Sequence, residues 1–143
     1  MVQINYPAYN FKIRQEDKND FIYDEIRRKW LVLTPEEWVR QNFIQYLIES
    51  KKYPASLIAV EKEIKVGELR KRFDIVIYKN DIPWMIIECK QMNVKLASNV
   101  LQQILGYHSQ LQASFILITN GNETRLWHKQ QNDFIEINEI PSW

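Results

Sequence analysis

The chain has 143 residues, 45% hydrophobic and 26% charged, with three glycines, five prolines and one cysteine, which suits one domain with its own core and excludes collagen-like, coiled-coil, disordered and disulfide-scaffold classes. Nineteen Lys and Arg against eighteen Asp and Glu leave a formal charge of +1, so bulk attraction to a polyanion is excluded and any nucleic-acid contact must be local. No apolar run approaches the roughly twenty residues of a membrane span, and a lone cysteine without a signal peptide points to a reducing, cytoplasmic setting.

Residues 1–33 mix charge and aromatics without a sustained period and read as an N-terminal arm of short strand or helix pieces ahead of a core over 34–143, in one domain. Thr34-Pro35-Glu36-Glu37 carries a helix-start signal, a capping threonine, a proline at the first helical position and Glu37 three residues after the cap. The helix runs through Val39, Phe43, Ile44, Tyr46, Leu47 and Ile48 and stops near Lys51-Lys52, before Pro54. Leu57 to Lys65 alternates as a strand. Phe73 to Tyr78 and Trp84 to Lys90 are β-branched and aromatic runs joined by a short polar link, which predicts a hairpin of two central strands. Apolar residues from Val94 to Leu111 follow a helical spacing. Phe115 to Thr119 reads as a buried strand, Asn120-Gly121-Asn122 as a turn, and Thr124 to His128 and Phe134 to Ile137 as edge strands. This order predicts an α/β fold, a central mixed β-sheet flanked by α-helices.

Charge interrupts the apolar strands at Asp74, Glu88 and Lys90, and a lone buried carboxylate needs a partner or takes up a proton. With a hairpin turning about Asp81, Tyr78 faces Trp84, Val76 faces Ile86 and Asp74 faces Glu88, and Lys90 shares the face of Glu88. Two acids directly opposed destabilise a sheet, and a divalent cation resolves the conflict: Mg²⁺ (or Mn²⁺) takes hard oxygens, often only one or two carboxylates with water and phosphate completing its shell. The Cys89 backbone carbonyl is a further oxygen ligand in this reading, with Lys90 beside the attacking water or the charged phosphate. A register slip of one residue dissolves the cluster. The plainer alternative is an Asp74–Lys90 salt bridge with Glu88 in solvent.

Asp74 followed by Glu88-Cys89-Lys90 resembles the signature of PD-(D/E)XK nucleases. Leu33 to Gln41, Lys71 to Val76, Ile87 to Lys90, Gln103-x-x-x-Tyr107 and Thr119-Asn120-Gly121 together resemble the N-terminal nuclease domain of the restriction subunit of type I restriction enzymes, over residues 25 to 130. The resemblance implies a restriction-endonuclease-like fold and Mg²⁺-dependent hydrolysis of DNA phosphodiesters. It implies metal ligation by Asp74 and Glu88, a catalytic place for Lys90, and supporting places beside the site for Gln103 and Tyr107. An acid of the first helix often joins such clusters, and Glu37 matches, although its capping-box role is the favoured one. Phe73 stands where the superfamily's proline is usual. The ATP-driven motor that normally follows this domain has no counterpart in the sequence. A homodimer or separate restriction-system subunits are the partners the resemblance leaves open, besides DNA and with no membrane. The competing function is a non-catalytic module that keeps the fold to bind nucleic acid or protein.

Other residues carry less. Arg70, Lys71 and Arg72 precede Asp74 and are placed to contact phosphates, while a solvated basic turn is the commoner outcome for them and for Arg27-Arg28-Lys29. Cys89 faces away from Glu88 and Lys90 and reads as packing. His108 and His128 lack zinc-pair spacing, and the tryptophans read mainly as core.

Overall fold

The computed structural model describes residues 1–108 and 111–143, with the side chains of Leu69, Val100, Ile104, Tyr107 and His108 outside that description. Strands β1 (Ile13–Glu16), β2 (Asn19–Asp24) and β3 (Lys29–Val32) form an antiparallel sheet in that order. The expected arm of mixed pieces is thus a three-stranded sheet. Its turns carry no glycine or proline to mark them; Asp17 and Arg28 adopt the left-handed backbone instead, at φ 57° and 54°.

Asp24 fastens this sheet to helix α1 (Pro35–Gln45). Its fully buried carboxylate accepts the backbone N–H groups of Ile26 and Arg27 at 2.8 and 2.9 Å. Arg27 Nε donates to it at 2.6 Å and Gln41 Nε2 at 3.0 Å. Burial works to raise the Asp24 carboxyl, yet the hydrogen bonds and charge of Arg27, with Gln41, hold it below its ordinary value. Gln41 also reaches Glu37 on the same helix, at 3.0 Å.

Thr34 caps α1 by accepting the Glu37 N–H at 3.0 Å, with Pro35 in the first turn. Val39, Phe43 and Ile44, then Leu47 in a π-helical turn over Tyr46–Ser50, bury one face of the helix. That face covers a six-stranded sheet made of β4 (Ile58–Val66), β5 (Leu69–Lys79), β6 (Ile82–Cys89), β7 (Phe115–Thr119), β8 (Thr124–Gln130) and β9 (Asp133–Ile137), in chain order. Among the described residues only β6 and β7 pair in parallel, and α2 (Ser98–His108) makes the crossover between them. Leu101 and Leu105 of α2 pack against Ile118 and Trp127 on the opposite sheet face. The result is an α/β fold with a mixed sheet between helices, compatible with a restriction-endonuclease-like domain. β8 departs from expectation: it is interior, with Leu126 and Trp127 buried, because β9 pairs along its outer side.

Two irregularities shape the centre of the sheet. Asn80 and Asp81, at φ 54° and 64°, make a two-residue turn that pairs Lys79 with Ile82 and Tyr78 with Pro83. The expected Tyr78–Trp84 pair does not form. Trp84 is an extra residue, a bulge that shifts the remaining register to Ile77–Met85, Val76–Ile86 and Ile75–Ile87. Without it Asp74 would align with Ile87 and the two acids would fall on opposite faces.

The second irregularity lies where Glu61 opposes Asp74. Pairing skips these two, between Val60–Ile75 and Lys62–Phe73, and Glu61 has φ 54°. Ile58, Val60, Ile75 and Ile77 pack on the α1 side. Beyond the break, Ile64, Val66 and Phe73 pack with Val76 and Ile86 on the other side. Both strands therefore exchange faces at one level, and the acids stand at the exchange.

Because Asp24 answers four donors in a buried setting, Asp24→Ala is expected to cost about 3 kcal/mol or more of folding stability. Urea unfolding checks this; a loss below about 1 kcal/mol would contradict ionic docking of the small sheet.

Candidate active site

Asp74 sits one residue beyond the last β5–β6 pair, Ile75–Ile87. Its Oδ2 accepts the Cys89 N–H at 2.7 Å, so a carboxylate replaces the backbone carbonyl that would otherwise continue the ladder. Its Oδ1 lies 3.6 Å from Arg40 Nη1. Glu88 is its neighbour. Burial first, and then the charge and hydrogen bonding of Asp74, push the Glu88 carboxyl up to about 8, against the opposing pull of Lys71 and Lys90. Glu88 Oε1 is buried and has no hydrogen-bond partner among the described residues. The solvent-facing Glu88 of the salt-bridge alternative is therefore not observed, and no ion pair joins Lys90 to Asp74 among the described residues.

Cys89 packs into the α1-side core, and burial raises its thiol well above the ordinary value, which suits packing and not nucleophilic attack. In a strand a residue's N–H and C=O point to the same edge, so the Cys89 carbonyl faces the Asp74 side together with the N–H that Asp74 accepts. Lys90 leaves the strand while its N–H donates to the Thr119 carbonyl at 2.8 Å. The following segment is held by Asn120, whose Nδ2 donates to the Val94 carbonyl at 2.8 Å. Asn120 Oδ1 accepts the N–H groups of Asn122 and Glu123 at 2.9 and 2.6 Å. Gly121 completes the turn at φ 90°, where a Cβ would meet Val39 at 3.4 Å. The Thr119-Asn120-Gly121 segment thus supports the loop that presents Lys90.

On helix α1 two adjacent acids, Glu36 and Glu37, have different surroundings. Glu37 is buried, with Arg27 Nη2 3.2 Å from both its oxygens, Arg40 Nε at 3.2 Å and Gln41 at 3.0 Å. Its capping-box half does not form either, because the Thr34 N–H donates to the Val32 carbonyl. Glu36 faces the site instead. Burial and then Asp74 raise its carboxyl, while Arg40 and Lys90 draw it down. Arg40 joins α1 to both strands: it binds Glu61, neighbours Asp74 and contacts Glu37. The signal for these residues was present in the sequence, since Glu36 and Arg40 are four apart and share a helix face.

The basic triplet divides. Arg70 and Arg72 are exposed and pair with Glu63 and Glu61 at 3.5 and 3.7 Å. Lys71 lies over the Phe73 ring and acts on Glu88. Gln103 is exposed on α2, and among the described residues no hydrogen bond links it to the acids. The side chain of Tyr107 lies outside the described residues.

A family described as type I restriction enzyme R protein N terminus matches residues 35–141. The chain belongs to this family. It is thereby a restriction-system, nuclease-like domain. Asp74, Glu88, Lys90 and Gln103 lie within the matched segment, and β1–β3 lies before it. Comparison with curated proteins gives no match. Among the described residues no helix is long and apolar enough to cross a membrane.

For this R-protein domain the fit of a hard divalent cation is decided by the donor set. Two adjacent carboxyls, one with an orphaned buried oxygen, and a neighbouring peptide carbonyl match what such a cation takes from protein. Among the described residues no three His, Cys, Asp or Glu side chains form a metal-holding group.

Glu88 keeps its proton in the folded chain up to about pH 8, but releases it near 4.5 when exposed. The folded state therefore binds more protons between these values, and stability falls as pH rises through this window. Glu88→Gln should flatten that fall and add on the order of 1–2 kcal/mol at pH 8 without divalent cations. Paired urea titrations at pH 5 and pH 8 check it; an equal pH dependence in both proteins contradicts the buried carboxyl pair.

Proposed function

We propose that this domain hydrolyses DNA phosphodiester bonds with Mg²⁺ or Mn²⁺ held by Asp74, Glu88 and the Cys89 carbonyl. The observation that carries the reading is the half-buried Glu88 carboxyl placed against Asp74, with its buried Oε1 unanswered. Only a proton or a cation relieves that pair, and a purely structural role gives no reason to keep it. Family membership supports DNA as the substrate.

The bound cation would supply Lewis-acid stabilisation of phosphate charge and a more acidic water. The chain's own groups do the rest. Asp74 is oriented by the Cys89 N–H and by Arg40, which fixes both its oxygens. Lys90, in the field of Glu88 and Glu36, places its ammonium on a phosphate oxygen or the attacking water. Glu36, with a raised carboxyl beside Lys90, is suited to take the proton that water loses. Lys71 and the exposed Arg70 and Arg72 steer the backbone toward the acids, and the family resemblance gives Gln103 and Tyr107 supporting places on α2. A homodimer or separate restriction-system subunits would supply the second cut.

Mn²⁺ at about a hundredfold over its dissociation constant should stabilise the protein by about 2.7 kcal/mol, and Asp74→Ala should abolish that gain in a thermal melt. Lys90→Ala should lower cleavage of plasmid or single-stranded DNA by roughly a hundredfold or more while retaining cation binding. Glu36→Gln should reduce cleavage with stability intact, whereas Glu37→Gln should chiefly destabilise the fold. DNA binding without any cation effect or cleavage would favour the non-catalytic module; cleavage indifferent to Lys90→Ala would remove the site assignment.

A further inference from the structure

Beyond the level of Glu61 and Asp74 the β4–β5 hairpin continues as a two-stranded ribbon, paired from Lys62–Phe73 to Val66–Leu69 and turned by Gly67 at φ 62°. Its two faces differ. Ile64, Val66 and Phe73 pack with Val76 and Ile86, so alternation puts Glu63, Lys65, Arg70 and Arg72 together on the opposite face. All four are exposed. Lys71 belongs to the other face, opposite Ile64 and over the Phe73 ring. Residues 62–72 hold five Lys or Arg against two Glu, a surplus of three in a chain whose total is +1. The positive charge of the molecule is therefore concentrated on this ribbon.

Lys65 stands directly opposite Arg70 across the ladder, and like charges so placed destabilise a hairpin. Glu63 answers Arg70 only at 3.5 Å and Glu61 answers Arg72 at 3.7 Å, and the two arginine side chains are 76% and 67% exposed, so these pairs contribute little and are readily exchanged. Among the described residues Lys65 makes no ion pair. A cationic face left under-compensated in this way fits an external polyanion. Observed contacts join it to the carboxyl site: Arg72 neighbours Glu61, Glu61 binds Arg40, and Arg40 Nη1 lies 3.6 Å from Asp74 Oδ1.

We propose that this ribbon is a docking arm for double-stranded DNA, on which Lys65, Arg70 and Arg72 bind successive phosphates of one strand and lead it to Asp74, Glu88 and Lys90. Where the strand leads rests on the hydrolytic reading; the docking itself needs no catalysis. Arg70 and Arg72, two apart on one β-strand, recur at ~6.8 Å, which matches the step between consecutive phosphates of a nucleic-acid strand. Glu63, Lys65, Arg70 and Arg72 include no aromatic ring, whereas grooves for single strands combine charge with rings on which bases stack. A duplex also presents phosphates at twice the axial density of one strand. The arm reads backbone charge and not base sequence.

The test is fluorescence anisotropy of the full chain in EDTA across a salt series, with a labelled duplex, a single strand of the same length and poly-glutamate. Lys65→Gln and Arg70→Gln should each weaken duplex binding roughly tenfold at 0.1 M salt. Each should also reduce the slope of log affinity against log salt by about one, equally for unrelated sequences. Lys65→Gln should leave the thermal midpoint unchanged or raised, because it removes one of two opposed cations; a fall would make the pair structural and overturn the proposal. Lys18→Gln, which removes the same charge from the β1–β2 turn, should keep the wild-type slope. A wild type that binds no duplex, Lys65 and Arg70 variants with wild-type affinity and slope, or an equal loss in Lys18→Gln overturns the proposal. So does a single strand bound as tightly as the duplex, or a preference for poly-glutamate, which would assign the arm to an acidic protein. The expected binding pattern without Mg²⁺-dependent cleavage defeats the hydrolytic reading alone; cleavage by a protein whose duplex binding ignores Lys65 and Arg70 defeats the arm alone.

Discussion

The hydrogen bond from the Cys89 peptide to the Asp74 carboxylate sets the terms for everything around it. A strand pair normally ends where its backbone groups run out of partners, but here a side chain takes over the pairing while the strands part. That substitution brings a charged group into the plane of the sheet, beside Glu88 and within reach of helix α1. An acid so placed must be balanced. Arg40 does so from the helix side at 3.6 Å, while Glu88 on the other side keeps its own proton up to about pH 8.

The balance depends on two departures from regular β-structure. The bulge at Trp84 aligns the acids, and the left-handed Glu61 opposite Asp74 lets both strands of the β4–β5 hairpin exchange faces at that level. A uniformly alternating hairpin would put Ile64, Val66 and Phe73 on the α1 side with Ile58, Val60 and Ile75, and would carry Asp74 into an ordinary ladder position. Of the left-handed residues outside glycine, Glu61 is the one that faces Asp74 across the strand pair, so backbone strain is present at the level of the acids.

The N-terminal sheet matters to the site through α1. Asp24 and Arg27 tie β2 and its turn to Gln41 and Glu37, and the same helix carries Arg40 and Glu36 toward the strands. A buried ionic cluster is sensitive to geometry in a way that apolar contact is not, so it fixes the rotation of α1 and with it the side of the helix that meets Asp74. Glu37 belongs to this structural cluster, while Glu36 lies in the field of Asp74 and Lys90, although they are adjacent in sequence.

Much of the element order was legible in the chain. The Thr34-Pro35 start of α1, the apolar runs of β5, β6 and β7 and the helical spacing of α2 are local signals, because hydrophobic periodicity and capping chemistry act over a few residues. The acids and lysine interrupting those runs were equally visible. The tertiary structure alone decided which of them meet. The two-residue turn and the Trp84 bulge together determine register, and neither has a strong signature, since Asn80-Asp81 offers no glycine and a bulge is a long-range compromise between neighbouring strands. The different surroundings of Glu36 and Glu37, the part played by Arg40 and the interior place of β8 follow from how α1 is rotated and from which strand finds β9, and packing across the whole molecule settles those questions.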